Sequence, residues 1–357
     1  MGGILFVSAG SGGERILTDT FINFDNLRKD SQNHFCAINT SSKDHERVKL
    51  LFKQRKIEDR KNFHTITIGE EELGGYGAGK NRTLGLSAYK ADRTSVLGKL
   101  KRLHSKDRFK IAFTLSTLGG GCGSLTTPEI SKDIRDELGI RVVPICTIPF
   151  RREGALLIDN GIAGLREISM SGLNPLIYDN ERMMKFSDSV KEGIEKVNRN
   201  ISLLISNLVD LVDYGGFSNP PIDIIDITRL ILPQCGAFSV VSEDNVKKFR
   251  DEWKDLLEFN LSLDSRTIDI ATAFVLFKSK TFPHSITEDV ISYLRMKFKV
   301  RELIPTTLED GFSGFNIMVM LWGLGIDSIK PKLEPKQSLT EKLFSPALDM
   351  LPARTKI

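Results

Sequence analysis

The stretch Thr117-Leu-Gly-Gly-Gly-Cys-Gly-Ser-Leu-Thr-Thr-Pro-Glu129 decides how this chain is read. It follows an apolar run, Ile111-Ala-Phe-Thr-Leu115, expected to form a buried strand. It precedes a helical pattern expected to start near Ser124, with Pro128 in its first turns, and to run to about Leu138. Gly119, Gly120, Gly121 and Gly123 fall between strand and helix. Glycine accepts positive φ and lets a ligand come close to main-chain N–H groups. Those groups, backed by a helix N-terminus, make an anion cradle. The stretch reads as a phosphate loop, and the competing reading is a glycine-rich turn without a ligand. No Gly-Lys-Ser/Thr closes it, so it is not a Walker-type loop.

The remaining composition bounds the answer. A chain of 357 residues buries a large core and suggests two domains or one large α/β unit. A net charge of +4 is small for this length, and composition therefore gives no case for nucleic acid. Cys36, Cys122, Cys146 and Cys235 are scattered, with no Cys-x-x-Cys pair or metal-type cluster. That pattern is expected of a reducing, cytoplasmic setting. No run is long enough for a membrane span, and Ile4-Leu-Phe-Val7 is too short for a signal segment.

Other loops repeat the strand–glycine–helix theme. Ile4-Leu-Phe-Val7 is expected as the first strand, followed by Ser8-Ala-Gly-Ser-Gly-Gly13 and a helix through Ile16, Phe21 and Ile22. The spacing Gly10-Ser11-Gly12-Gly13 is close to a dinucleotide fingerprint and keeps an NAD-dependent enzyme open as a rival. His34-Phe-Cys-Ala-Ile38 is expected as the second strand, ending in Asn39-Thr40. A dinucleotide fold wants an acid there for the ribose, so Asn39 counts against NAD. Lys43 to Lys61 reads as a solvated helix and loop, and Phe63–Ile68 as an exposed strand. Gly74-Gly-Tyr-Gly-Ala-Gly-Lys-Asn-Arg82 is a second glycine-dense loop, with Lys80 and Arg82 adding positive charge. A helix is expected from Leu84 to His104, and a strand over Arg141–Ile148 that ends in Pro149-Phe-Arg-Arg-Glu-Gly154. Val190, Ile194, Val197, Ile201, Leu204, Leu208 and Leu211 step by four and three, the stripe of a long core helix. Beyond it Asp223 and Asp226 stand three apart at the head of another helix, as helix caps or as functional acids. Strands are then expected over Ala271–Phe277, Val300–Ile304 and Phe315–Trp322, with a helix over Thr287–Phe298.

Taken in order, these loops resemble those of the tubulin/FtsZ superfamily, in a divergent branch with TubZ-like and CetZ-like features. The resemblance covers about residues 3 to 325. Gly119–Ser124 is similar to the family's Gly-Gly-Gly-Thr-Gly-Ser/Thr-Gly, with Cys122 for Thr and Leu125 for Gly. Gly77-Ala78-Gly79-Lys80-Asn81 is similar to its Gly-Ala-Gly-x-Asn-Pro, with Arg82 for Pro. Gly10–Gly13 resembles its first phosphate loop, and Asn39-Thr40 its Asn-Thr segment. Pro149–Gly154 is similar to Pro-Phe-x-Phe-Glu-Gly, which gives Glu153 a ribose contact. Leu157 stands where the family's following Arg would bind phosphate or ribose. Leucine cannot do so, and the contact is either lost or taken over by Arg151 or Arg152. Asn180 and Asn198 (with Asn200 as the neighbouring register) match positions that read guanine. Asp223 and Asp226 match acids that act on the neighbouring subunit's nucleotide.

The resemblance implies an α/β fold: a mostly parallel sheet, a long central helix and a smaller α+β C-terminal domain. The expected divisions are a GTP-binding domain over 1–187, the central helix over 188–213, the C-terminal domain over 214–330 and a tail over 331–357. It implies a cytoplasmic GTPase that binds GTP or GDP with Mg2+, names no protein metal ligand, and self-assembles head to tail into a homopolymer. Leu339, Leu343 and Phe344 in the tail offer a contact for an adaptor protein. A relative that binds nucleotide without hydrolysing it remains the alternative.

Overall fold

All six side chains of Ile4–Ala9 (β1) are buried, as are the first six of Ile111–Thr117 (β4). Side chains alternate between the two faces of a strand. Runs like these fold only where helices cover both faces of a parallel sheet. The computed structural model describes residues 2–184, 187–222, 235–264, 272–309 and 314–325. The other strands are His34–Asn39 (β2), Phe63–Thr67 (β3), Arg141–Ile148 (β5), Leu176–Asp179 (β6), Cys235–Glu243 (β7), Thr272–Lys278 (β8), Glu302–Leu308 (β9) and Phe315–Leu324 (β10). They join one sheet in the order β3-β2-β1-β4-β5-β6-β7-β10-β8-β9. The first six strands are mutually parallel. β10 runs antiparallel to β7 and β8, and β9 lies parallel to β8. β6 and β7 meet at one residue pair, Leu176 with Gly236.

The helices are Gly10–Asn23 (α1), Asp25–Lys29 (α2), Ser42–Gln54 (α3), Glu70–Leu73 (α4), Arg82–Asp107 (α5) and Gly121–Leu138 (α6). Ala155–Met170 (α7), Glu181–Met184 (α8), Val190–Tyr214 (α9), Val246–Asn260 (α10) and His284–Phe298 (α11) follow. Phe6 and Phe113 face α1, α3 and α9, in a core that also holds Phe21, Phe52 and Leu204. Leu5, Val7 and Ala112 face α5 and α6, in a core with Tyr89, Leu100 and Ile134. A third core sets α7, α10 and α11 against the other strands through Leu165, Phe249, Trp253 and Leu294.

The mostly parallel α/β architecture agrees with the sequence, and the details differ in informative places. α6 begins at Gly121, three residues before Ser124, and α1 begins at Gly10 with no loop before it. The glycines therefore form the first helical turns. α3 is not wholly solvated, since His45, Val48 and Phe52 are buried. β7 and α10 were not among the expected elements. Seven consecutive residues of β7 are buried, which removes the alternation that marks a strand. In α9 the expected stripe is buried from Val197 to Leu211, while Val190 is exposed.

Asp210 of α9 pairs with Lys278 at the end of β8, tying the central helix to the second half of the sheet. Burial pushes the Asp210 carboxyl up, and Lys278 opposes that rise. Lys278→Met should cost about 3–5 kcal/mol at pH 8, because it strands a buried charge. With its cation gone, Asp210 has a folded pKa further above its unfolded one, so stability falls as pH rises between the two. The deficit should shrink on acidification and largely vanish in Asp210→Asn/Lys278→Met. Denaturant unfolding at pH 5 and pH 8 checks both.

Candidate functional site

Two strand-to-helix turns, β1 to α1 and β4 to α6, lie side by side because β1 and β4 are neighbours. A Cβ on Gly12 would sit 2.2 Å from Thr117 Oγ1, and one on Gly13 would sit 2.3 Å from the Leu115 carbonyl oxygen. One on Gly121 would lie 2.8 Å from Asn81 N, and one on Gly123 would lie 2.7 Å from the Thr117 carbonyl oxygen. Gly10 has φ of 73°, a left-handed conformation that glycine takes without strain. Gly12, Gly13 and Gly123 let both helix starts pack against the end of β4, a Cβ on Gly10 would lie 3.0 Å from Gly123 N in the same sense, and Gly121 makes room for Asn81. Gly120 differs: a Cβ there meets nothing within 4 Å, so this position faces open space.

That open space is a pocket of about 350 Å³ at the carboxyl ends of the strands. Its floor is Gly10, Ser11, Gly12, Gly119, Gly120, Gly121, Cys122 and Gly123. One wall is Asn39, Thr40, Ser41 and Asp44 after β2, and another is Tyr76, Gly77, Ala78, Gly79 and Lys80. Thr117, Glu153 and Leu157 complete it. Neither α1 nor α6 has a side-chain N-cap, and the same holds for α7, whose first turn carries Leu157. In contrast, α3, α5, α9 and α10 are capped by Ser41, Asn81, Ser189 and Asn245. A helix start leaves its first N–H groups unsatisfied. Three such starts therefore contribute to one pocket, an arrangement suited to a multiply charged anion.

The walls are held by short polar links. Thr40 Oγ1 accepts a hydrogen bond from Ala78 N at 3.1 Å, joining the two wall segments. Asn39 donates through Nδ2 to the buried Glu14 carboxylate at 2.7 Å, and His45 Nδ1 lies 2.6 Å from the same carboxylate. Ser11 Oγ donates to Asp44. Cys122 Sγ is 3.9 Å from Thr126 Oγ1, and burial pushes its thiol up to about 11. At neutral pH it is therefore an unreactive neutral group in the cradle. Glu153 accepts from the Phe150 N–H at 2.9 Å, which closes its own turn.

Other residues singled out from sequence are not among those that line the pocket. Gly13 packs beneath it. Asn81 caps α5 through Thr83 N and Leu84 N. Ser124 donates to the Gly120 carbonyl oxygen and accepts from Arg82. Pro149 packs against Gly119. Asn180 has a buried Oδ1 without a hydrogen-bond partner among the described residues. Asn198 Nδ2 donates to Asp19 at 2.7 Å, and burial raises the Asp19 pKa. Asn200 donates to the Tyr178 hydroxyl instead. Arg151 pairs with Asp179 at 3.0 Å, while Arg152 lies over the Phe150 ring. Asp223, Asp226 and the tail over 331–357 fall outside the described residues. The sequence reading gave no site role to Asp44, Tyr76 or Thr117, and their only signal was proximity to the glycine loops.

Comparison with known proteins bears on the fold and on the family. The model of the tubulin/FtsZ family GTPase domain matches residues 3–188. A tubulin-like protein CetZ from Pyrococcus horikoshii is 28% identical over 206 residues, 57% of this chain and 53% of that protein. A cell division protein FtsZ from Aquifex aeolicus is 26% identical over 242 residues, 65% of this chain and 62% of that protein. The matched region thus spans about half to three-fifths of these relatives. Among solved structures, the GTPγS-bound protofilament of CetZ2 from Haloferax volcanii superposes with a TM-score of 0.75 at 18% identity, covering 98% of this chain and 100% of that one. TubZ from Clostridium botulinum phage c-st has a TM-score of 0.62 at 14% identity, covering 98% and 99%. These likenesses bear on the fold, and the family match over more than half of the chain bears on descent: this chain belongs to the tubulin/FtsZ family.

Proposed function

We propose that the pocket binds GTP, that subunits stack head to tail with the nucleotide at each junction, and that Asp223 and Asp226 of one subunit complete hydrolysis in the next. The observation that carries the reading is the convergence of three uncapped helix starts on one glycine-lined pocket. Backbone N–H groups stabilise phosphoryl charge without reorganising, and transfer to water relies on such positioning. Asn180 Oδ1, buried and unpartnered beside the end of β5, suits the N–H donors of guanine. Among the described residues no cluster of three His, Cys, Asp or Glu side chains could hold a metal, and Asp44 and Glu153 are the two carboxylates that line the pocket. This fits Mg2+, which is held by phosphates and one or two carboxylates and keeps several waters. Asp44 would help hold the ion, which would neutralise phosphate charge.

Head-to-tail stacking is supported by where the apolar surface lies. Tyr76, Leu84 and Leu156 are 80%, 42% and 59% exposed around the pocket rim. Tyr214 and Phe217, at the far end of α9, are 51% and 86% exposed. α9 has 25 residues, so it is about 37 Å long. Its last turn reaches Lys110, just before β4, through Asp213 at 3.3 Å. The end of α9, which precedes Asp223 and Asp226 in the sequence, is thus remote from its own subunit's pocket. Two different patches at opposite ends make a heterologous contact that propagates. Leu157 on the pocket wall favours a second reading, binding without turnover.

Calorimetric titration should give at least tenfold preference for GTP over ATP, and equal affinities would refute the base assignment. Gly120→Ala should keep its melting temperature and weaken GTP binding, because its Cβ meets no protein atom and instead enters the cradle. Gly123→Ala should lose stability as well, because its Cβ meets backbone. Phosphate release per molecule should rise with protein concentration, and Asp226→Ala should bind GTP, turn over slowly and leave longer-lived filaments in electron microscopy. Normal turnover by Asp226→Ala would remove that acid from the hydrolytic step. Tight binding with no phosphate release at any concentration would establish the second reading.

A further inference from the structure

The modest overall charge conceals an uneven distribution. Residues 53–61 and 99–110 together hold eleven Lys and Arg against three acids, a local excess of eight where the whole chain has +4. The first segment joins α3 to β3, and the second ends α5 and leads to β4. The fold brings them to one edge. His34 at the start of β2 lies 3.0 Å from His64 of β3 through Nδ1, and 2.8 Å from Asp107 at the end of α5 through Nε2. The Lys99 charge is close enough to lower the pKa of His64, after burial the largest cause.

Lys56, Lys61, Arg102 and Arg108 are exposed, Lys99 is half-buried, and none of the five forms an ion pair among the described residues. Lys99, Arg102 and Lys106 fall at i, i+3 and i+7, on one face of α5. Lys56 and Arg108 take left-handed backbone conformations just beyond α3 and α5, positions where glycine costs least. A cation stands at both. No large apolar side chain of either segment is exposed, so the surface lacks the anchors of a membrane-binding face.

We propose that this edge, around the first residues of β3, is a docking surface for the phosphate backbone of duplex nucleic acid. Lys and Arg neutralise phosphates without apolar contact, and binding of that kind is sequence-independent and salt-dependent. Arg102 and Arg108 supply guanidinium groups, which match phosphate geometry. The surface lies at the amino ends of the strands, away from the glycine pocket, so both can be occupied together.

The test is fluorescence anisotropy of a labelled 30-base-pair DNA duplex with the full chain at 50 and 200 mM NaCl. Binding should reach roughly 10 µM at the lower salt and weaken with a log–log slope of about −4. Lys61→Glu/Arg102→Glu/Arg108→Glu should abolish it. The corresponding triple Gln variant should bind more weakly, with the slope reduced by about 3, one contact's worth per residue. The melting temperature of the Gln variant should be unchanged. No duplex binding at 50 mM NaCl, or a Gln variant with the wild-type slope, overturns the proposal. So does capture of vesicles of anionic phosphatidylserine, or of poly-glutamate, at least as tightly as the duplex.

Discussion

Two helices can begin side by side at the end of a parallel sheet only if nothing projects between them. Here that condition is met at Gly12, Gly13 and Gly123, each with Thr117 or Leu115 within 3 Å of where a Cβ would be, and Gly121 gives the same room to the Lys80–Asn81 backbone. Every one of these glycines gives up more chain entropy on folding than another residue would. In return, the first turns of α1 and α6 come together with their N–H groups uncapped. The wall segments follow from this. Gly85 lets α5 approach the Gly121 carbonyl oxygen, where a Cβ would lie at 2.4 Å. Asn160 of α7 then ties the Lys80 and Gly119 carbonyl oxygens together at 3.0 and 3.1 Å.

Much of this was legible in the sequence for one reason: the informative positions were local. A run such as Ile4–Val7 ending in glycines specifies a buried strand turning into a helix, whatever surrounds it. The stripe from Val197 to Leu211 specifies a core helix by its own period. The start of α6 was misplaced because a glycine-rich segment reads as loop from propensity alone, whereas tertiary packing makes it helical. β7 was lost for a related reason, because a strand buried on both faces lacks alternation. α10 carries a plain spacing of four through Phe249, Trp253 and Leu257, so its omission was avoidable.

Side-chain roles were less legible, because their partners are distant in sequence. Asn198 meets Asp19, 179 residues away, and the sequence gives no sign of that pairing. Asn81 sits inside a glycine motif, yet its side chain caps a helix. Composition likewise averages over the distribution of charge. An average over 357 residues hides two segments that are separated along the chain and adjacent in space. The order of strands β3-β2-β1-β4 is what places the ends of α3 and α5 on the same edge.

One structural feature bears on how force would pass through the molecule. The ten-stranded sheet is stitched between β6 and β7 by a single residue pair. The ladders on either side, four pairs in β5–β6 and nine in β7–β10, are longer. A pull along the molecule cannot be carried across that seam by sheet hydrogen bonds alone. It passes instead through the helix layers: on one face α7, α10 and α11, and on the other α9, whose buried face belongs to a core shared by strands on both sides of the seam. The central helix is thus a strut across the weakest join of the sheet, and the ion pair of Asp210 with Lys278 rivets its far end.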